Sequence, residues 1–167
     1  MEWVKPSAGN DDVILVTAHG QAIRFKEKDI RGMGRNASGV RGLRLKREDS
    51  IIGMDVIESE IIKKNLLELF VIAENGLGKR TNLKNYKVQR RGGSGIKTAK
   101  VNKKTGNLIG AYVVNTKDER DLIIISRHGQ VIRLPFASVK SSGRATQGVR
   151  LMRFKEGDDM VASIALV

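Results

Sequence analysis

Basic residues recur at fixed distances from glycine in this sequence, and the chemistry they suggest is phosphate binding. When the chain is aligned on Gly39, Gly95 and Gly148, four positions carry a cation in all three segments. They lie four residues before that glycine, two after it, five after it, and four after an earlier turn glycine. In that order they are Arg35, Arg91 and Arg144; Arg41, Lys97 and Arg150; Arg44, Lys100 and Arg153; and Arg24, Arg80 and Arg133. Solubility requires charge of either sign, so a cation repeated three times favours contact with a nucleic-acid backbone.

Each repeat also carries a glycine-rich loop among these cations, at residues 32–39, 89–95 and 141–148. Glycine lets the backbone approach a phosphate and direct N–H groups at it, and arginine adds bidentate charge-assisted bonds. Glycine also makes tight loops between strands, and one loop can serve both purposes. The middle loop reads Gln89, Arg90, Arg91, Gly92, Gly93, Ser94, Gly95.

The sequence offers no convergent set of residues for catalysis or metal binding. His19 and His128 occupy the same repeat position, which indicates a turn preference rather than a metal pair. Tyr86 and Tyr112 are predicted to pack in the core. The chain has no cysteine, which excludes disulfides and thiolate zinc sites. We therefore expect no enzymatic activity from this chain, no cofactor and no metal.

The overall charge limits the class of partner. Thirty-one Lys and Arg stand against 18 Asp and Glu, a net charge of +13, which attracts nucleic acid, an anionic membrane or an acidic protein. No apolar run approaches the roughly 18–20 residues of a membrane span. Aromatic residues make up only 4 %, which argues against base stacking on single strands.

These cations lie on a threefold internal repeat. Residues 12–57, 68–114 and 121–167 align, and in each a turn glycine lies 19 residues before the second glycine. A hairpin is predicted around each turn glycine, followed by a third strand (40–45, 96–101, 149–154) and a closing strand (51–57, 108–114, 160–167). Four strands per roughly 50 residues predict all-β propeller blades.

The repeats define the expected domain boundaries. Residues 1–11 are the end of a preceding blade or an added tail, 12–58 the first blade, 66–115 the second and 120–167 the third. The connector 58–67 is predicted to contain one helical turn. Three blades do not close the usual ring of four to eight. The chain is therefore part of a larger propeller, an open arc, or a unit that self-associates.

The middle loop resembles the "gyrase box" Gln-Arg-Arg-Gly-Gly-Lys-Gly of the C-terminal domain of DNA gyrase A, with Ser94 in place of the lysine. Residues 23–27, 39–45, 75–81 and 143–149 also look like repeats of that domain. The three segments are most similar to the last three of the family's six blades. The family carries its box in the first blade, so a box in the middle segment is a departure.

The resemblance implies a β-pinwheel, in which neighbouring blades exchange strands, with duplex DNA wrapped around a basic rim. It implies a non-catalytic module that supports ATP-dependent negative supercoiling in the cytoplasm, in partnership with the rest of gyrase A and with gyrase B. The predicted DNA-binding residues are Arg24, Arg35, Arg41, Arg44, Arg80, Gln89, Arg90, Arg91, Gly92, Gly93, Ser94, Gly95, Lys97, Lys100, Arg133, Arg144, Arg150 and Arg153.

Two alternatives stay open at this point. The equivalent domain of topoisomerase IV is similar but less regular. A propeller that docks an acidic protein partner would also carry repeated cations.

Overall fold

The computed structural model describes residues 2–62 and 64–167, which form three antiparallel sheets in a row. The strands of the first repeat are β1 (Asp12–Thr17), β2 (Gln21–Lys26) and β3 (Ile51–Ile57). Those of the second are β4 (Leu67–Ala73), β5 (Leu77–Asn82), β6 (Ile96–Lys97) and β7 (Leu108–Asn115). Those of the third are β8 (Asp121–Ser126), β9 (Val131–Pro135), β10 (Val149–Arg150) and β11 (Val161–Leu166). A one-turn helix, α1 (Ser59–Ile62), lies in the first connector, and short 3-10 helices follow the hairpins at Glu27–Asp29, Leu83–Asn85 and Phe136–Ser138.

Each repeat folds around a hairpin whose first strand also pairs with the closing strand. The pairs are β1 with β2 and β3, β4 with β5 and β7, and β8 with β9 and β11. The closing strand shifts register against the last residues of the first strand in all three sheets. The repeat seen in the sequence is therefore a repeat of backbone geometry.

The fourth strand of a blade comes from the following repeat. Strand β6 of the second repeat pairs with β2, with Gln21 opposite Lys97 and Ala22 opposite Ile96. Strand β10 of the third repeat pairs with β5 in the same register, with Leu77 opposite Arg150. This exchange, expected from the resemblance, links each blade to the next by main-chain hydrogen bonds.

The predicted third strands need two corrections. Residues 40–45 form no strand, and among the described residues the third sheet has three strands rather than four. The fourth strand pairs with the preceding blade, so within the described residues segment 40–45 pairs with no sheet and the third sheet has no fourth strand. The other third strands are only two residues long, because the chain then turns to bury Ala99 and Met152 between the blades.

Two hydrophobic cores separate the three sheets, and β4 contributes to both. Leu69 and Val71 face the first sheet, and Phe70 and Ile72 face the third. This explains why β4 is a continuous apolar run rather than an alternating one. A third cluster covers the outer face of the first sheet, where Leu43 packs against Leu15 and Phe25.

The outer face of the third sheet is open. On the corresponding faces of the first two sheets, the apolar side chains are at most 1 % exposed; Ile14 and Ile72 are examples. At the equivalent positions of β8, Ile123 is half-buried and Ile125 is 38 % exposed. Within the described residues, the third blade therefore exposes an apolar face, whereas the corresponding faces of the first two blades are buried.

The exchanged strands depend on glycine at the point of closest approach. Gly95 has φ +71°, and a Cβ atom there would lie 2.5 Å from the Ala22 carbonyl oxygen across the joint. Gly39 has φ +79°, but a Cβ atom there would meet nothing within 4 Å. The two positions share the same backbone conformation and differ only in whether another blade lies against them.

We predict that Gly95→Ala destabilises the fold more than Gly39→Ala. Both substitutions force alanine into the left-handed region, at a cost of roughly 1–2 kcal/mol. Gly95→Ala also overpacks the joint, which adds about 1–3 kcal/mol. Urea denaturation of the two variants measures the difference in free energy of unfolding, and equal losses would show that the Gly95 contact does not tighten the joint.

Candidate nucleic-acid interface

The second and third glycine-rich loops each lie against the preceding repeat. The Gly92 N–H donates to the Gly42 carbonyl over 2.7 Å, and the Arg44 N–H donates to the Gly93 carbonyl over 2.8 Å. One blade further on, the Lys100 N–H donates to the Thr146 carbonyl over 3.0 Å. The loops and the basic segments that follow them thus form one continuous band from blade to blade.

The main chain of the middle loop is already engaged by the protein. The Gln89 N–H donates to the Arg24 carbonyl over 2.7 Å, and Gly92 donates as described above. These two N–H groups therefore have partners within the protein, and the expected contact of the loop with a phosphate stays a prediction. The side chains of Arg90 and Ser94 are exposed, Gly93 is half-buried, and Gly95 lies in the strand-exchange joint.

Arg24 is a buried structural residue rather than a surface cation. It is 7 % exposed, and its Nε and Nη2 atoms each lie 2.7 Å from Oδ2 of the fully buried Asp12. Its Nη1 donates to the carbonyls of Leu83 and Tyr86 in the next repeat. This guanidinium closes the joint between the first and second blades, and its role in binding DNA stays a prediction.

Arg80 repeats this arrangement at the next joint. Its guanidinium pairs with Glu68, donates to the carbonyls of Ala137 and Val139, and lies 5.5 Å from the centre of the Phe136 ring. Its contact with DNA likewise stays a prediction. Arg133 occupies the same repeat position and pairs with Asp121 over 2.6 Å, but its side chain is 69 % exposed because no blade lies beside it in the described chain.

A second set of arginines anchors the loops. Arg91 donates to the Arg41 carbonyl over 2.7 Å and to the Asp29 carbonyl over 3.2 Å, and Arg144 donates to the Lys97 carbonyl over 3.1 Å. Both side chains are half-buried, and their main role in this structure is to stabilise the band of loops. Arg35, at the same position in the first repeat, is exposed.

The positions two and five residues after the second glycine carry exposed cations in all three blades. Their side chains lie along the band and, in the part of the chain that the structure describes, form neither a buried ion pair nor an anchoring contact. They are Arg41, Arg44, Lys97, Lys100, Arg150 and Arg153. Six cations at equivalent places on consecutive blades form a surface suited to a regularly charged polyanion.

A fifth repeated cation was not among the residues predicted to bind DNA. Arg31, Lys87 and Lys140 lie eight residues before the second glycine in each repeat, and all three are exposed. Lys140 and Lys100 line one groove together with Ser142 and Thr146. Alignment on the same glycine would have revealed these residues. Together with the six cations above, they define what we call the basic rim.

Lys79 is a cation buried without a carboxylate partner among the described residues. It is 1 % exposed, and its Nζ donates to the carbonyls of Gly143 and Arg144 at 2.6 and 2.5 Å and to the Thr146 hydroxyl at 3.1 Å. Burial, and secondly the charge of Arg144, lower the pKa of Lys79 to about 8. Its contacts hold the third glycine-rich loop against the second blade.

The histidines follow the turn chemistry expected from the sequence. The main-chain N–H groups of His19 and His128 donate to Asp49 and Asp159. The His128 ring lies 2.6 Å from Glu156, and that hydrogen bond raises the His128 pKa. His128, Glu156 and Asp158 bring ligand-type atoms within 4.8 Å of one another on the exposed surface.

Comparison with known proteins identifies the family. The model of the DNA gyrase C-terminal domain, beta-propeller, matches residues 11–58, 67–115 and 120–167, most of the chain. The chain belongs to this family.

Relatives and solved structures agree with the family. The DNA gyrase A protein of Staphylococcus epidermidis is 40 % identical over 164 residues, and that of Staphylococcus aureus is 38 % identical. These matches span 98 % of the chain but only 18 % of each relative's length. A solved DNA gyrase A C-terminal domain superposes with a TM-score of 0.80 at 25 % identity, over 96 % of this chain and 52 % of that one. The C-terminal domain of a DNA topoisomerase IV superposes with a TM-score of 0.82 at 23 % identity, over 95 % of this chain and 47 % of that one, and shares the fold.

The family assignment confirms the all-β pinwheel expected from the sequence. Within the described residues, no helix is long and apolar enough to cross a membrane.

We predict that Arg24→Ala destabilises this gyrase-family domain far more than Arg133→Ala. Removal of Arg24 takes both bonds from Oδ2 of the buried Asp12, although Lys26 still pairs with Oδ1. Breaking a buried pair in this way costs up to about 3–5 kcal/mol. Arg133 is at the same repeat position but forms an exposed pair, worth about 0–1 kcal/mol. Thermal and urea denaturation compare the two variants, and a small effect of Arg24→Ala would contradict its role in the joint.

Proposed function

We propose that this chain binds duplex DNA along the basic rim and bends the DNA around the row of blades. The observation that carries the proposal is the exposure of the same cations on three consecutive blades, on loops that contact one another. Each cation can pair with a phosphate of the DNA backbone.

The chemistry of the rim favours backbone contact over base readout. The rim consists of Lys and Arg side chains on short loops, with no helix long enough to enter a major groove among the described residues. Backbone contacts fix the position of the duplex without reading its sequence. We therefore expect little sequence preference and a strong dependence on salt.

The relatives support a proposal about the larger protein to which this module belongs. We propose that it is part of a gyrase A protein and supports ATP-dependent negative supercoiling together with the rest of gyrase A and with gyrase B, in the cytoplasm. On this proposal the chain alone has no enzymatic activity and needs no cofactor. The 40 % identity to a gyrase A protein favours gyrase over topoisomerase IV.

The salt dependence of binding tests the proposal. If the rim neutralises about six to ten phosphates, affinity for a short fluorescent duplex falls by roughly 10³–10⁵ between 50 and 200 mM salt. The double variant Lys97→Gln, Lys100→Gln removes two rim cations from the middle blade. It should lower the slope of log K against log salt by about 2, with no loss of stability.

A matched control removes the same charge elsewhere. Lys64 and Lys117 are exposed on the two connectors between blades, and neither lies on the band of loops. The variant Lys64→Gln, Lys117→Gln should keep the original slope. Equal effects of the two double variants, or a nearly flat salt response of the unmodified chain, would contradict binding along the rim.

A further inference from the structure

The third glycine-rich loop lacks a main-chain hydrogen bond that holds the second. In the second loop, the Gly92 N–H donates to the Gly42 carbonyl over 2.7 Å, across the joint between the first two blades. Ala145 and Thr98 are the same two positions one repeat later, and in the described residues no hydrogen bond joins their main chains. The middle of the third loop therefore depends on another contact for its position.

Lys79 supplies that contact. Its ammonium donates to two main-chain carbonyls of the loop and to the Thr146 hydroxyl. Ile23 occupies the same position in the first blade and is fully buried. A Cβ atom at Gly93 of the second loop would lie 3.7 Å from Ile23 Cδ1. A cation in the second joint thus takes the place of an apolar contact in the first.

The loop residues that Lys79 contacts also hold the main chain of two rim cations. The Arg144 guanidinium donates to the Lys97 carbonyl over 3.1 Å, and the Lys100 N–H donates to the Thr146 carbonyl over 3.0 Å. The side chains of Lys97 and Lys100 are exposed, whereas Lys79 is 1 % exposed. Lys79 is therefore connected to the rim through the loop and presents almost no surface to a phosphate itself.

We propose that Lys79 is a positioning residue for the basic rim, which holds the third loop in the shape that presents Lys97 and Lys100 to DNA. This inference rests on the proposed function. An ammonium group suits the task because its three N–H donors match the three acceptors that the loop offers. An apolar side chain, such as that of Ile23, would offer no donor to the carbonyls of Gly143 and Arg144.

A double-mutant cycle tests whether Lys79 acts through the rim. Lys79→Met should weaken binding of a short fluorescent duplex several-fold at low salt, although the charge it removes is buried. The same substitution in the Lys97→Gln, Lys100→Gln variant should weaken binding no further, because the cations that Lys79 positions are already absent. Equal fold-losses in the two backgrounds would overturn the proposal.

Two further variants control for general loss of structure. Ile23→Met places methionine at the same position of the first joint, where no ammonium is lost, and should keep the original affinity. Thr146→Val removes one of the three acceptors at nearly constant volume and should cause a smaller loss in the same direction as Lys79→Met. This milder variant decides the question if Lys79→Met does not fold. Unchanged affinity of a folded Thr146→Val variant would then overturn the proposal.

Hydrogen exchange without DNA separates this inference from the proposed function. The Lys100 N–H should exchange several-fold faster in Lys79→Met than in the unmodified chain, while the amides of β1 keep their rates. Unchanged exchange at Lys100 would overturn the role of Lys79 even in a chain that binds DNA along the rim. Faster exchange at Lys100 in a chain that does not bind DNA would contradict the proposed function and would still support the hold of Lys79 on the loop.

Discussion

The joint between neighbouring blades is the constraint on which the rest of this structure depends. Two strand residues from one repeat complete the sheet of the preceding repeat, and a buried guanidinium bridges an acidic residue of its own blade to carbonyls of the next. An isolated two- or three-stranded blade would leave a polar edge and an apolar face uncovered. The exchange covers both and sets how one blade follows another.

The joint also separates the repeated cations into two classes. Arg24, Arg80, Arg91 and Arg144 stabilise contacts between repeats, whereas the rim residues remain exposed. Both classes arise from the same repeat, so the geometry that stacks the blades also sets the spacing of the exposed charge. The proposed function requires this repetition, because a single blade would carry only three rim cations, too few to direct a duplex.

Much of this architecture was predictable from the sequence, since turn glycines and apolar runs at a constant interval specify hairpins locally. The partner of the third strand was not, because the spacing of Ile96 or Val149 from glycine is the same whether it pairs within its blade or with the preceding one. Arg24 and Arg41 both lie at positions that carry a cation in every repeat, so the sequence predicted the same role for both. In the structure Arg24 is buried against Asp12, whereas Arg41 is exposed. Burial depends on the next blade, which no local pattern describes. Lys87 and its two counterparts, in contrast, recur in the sequence as regularly as the predicted cations and could have been predicted with them.

The linking number of plasmid DNA tests the central claim that the ordered blades curve DNA along the rim. Nicked plasmid is ligated with increasing amounts of this chain, the protein is removed and the topoisomers are resolved. We predict a shift of one sign that grows with protein and shrinks when rim cations are replaced. An unchanged topoisomer distribution under conditions where the chain is bound would contradict this claim, and would mean that these blades hold DNA without bending it into a defined path.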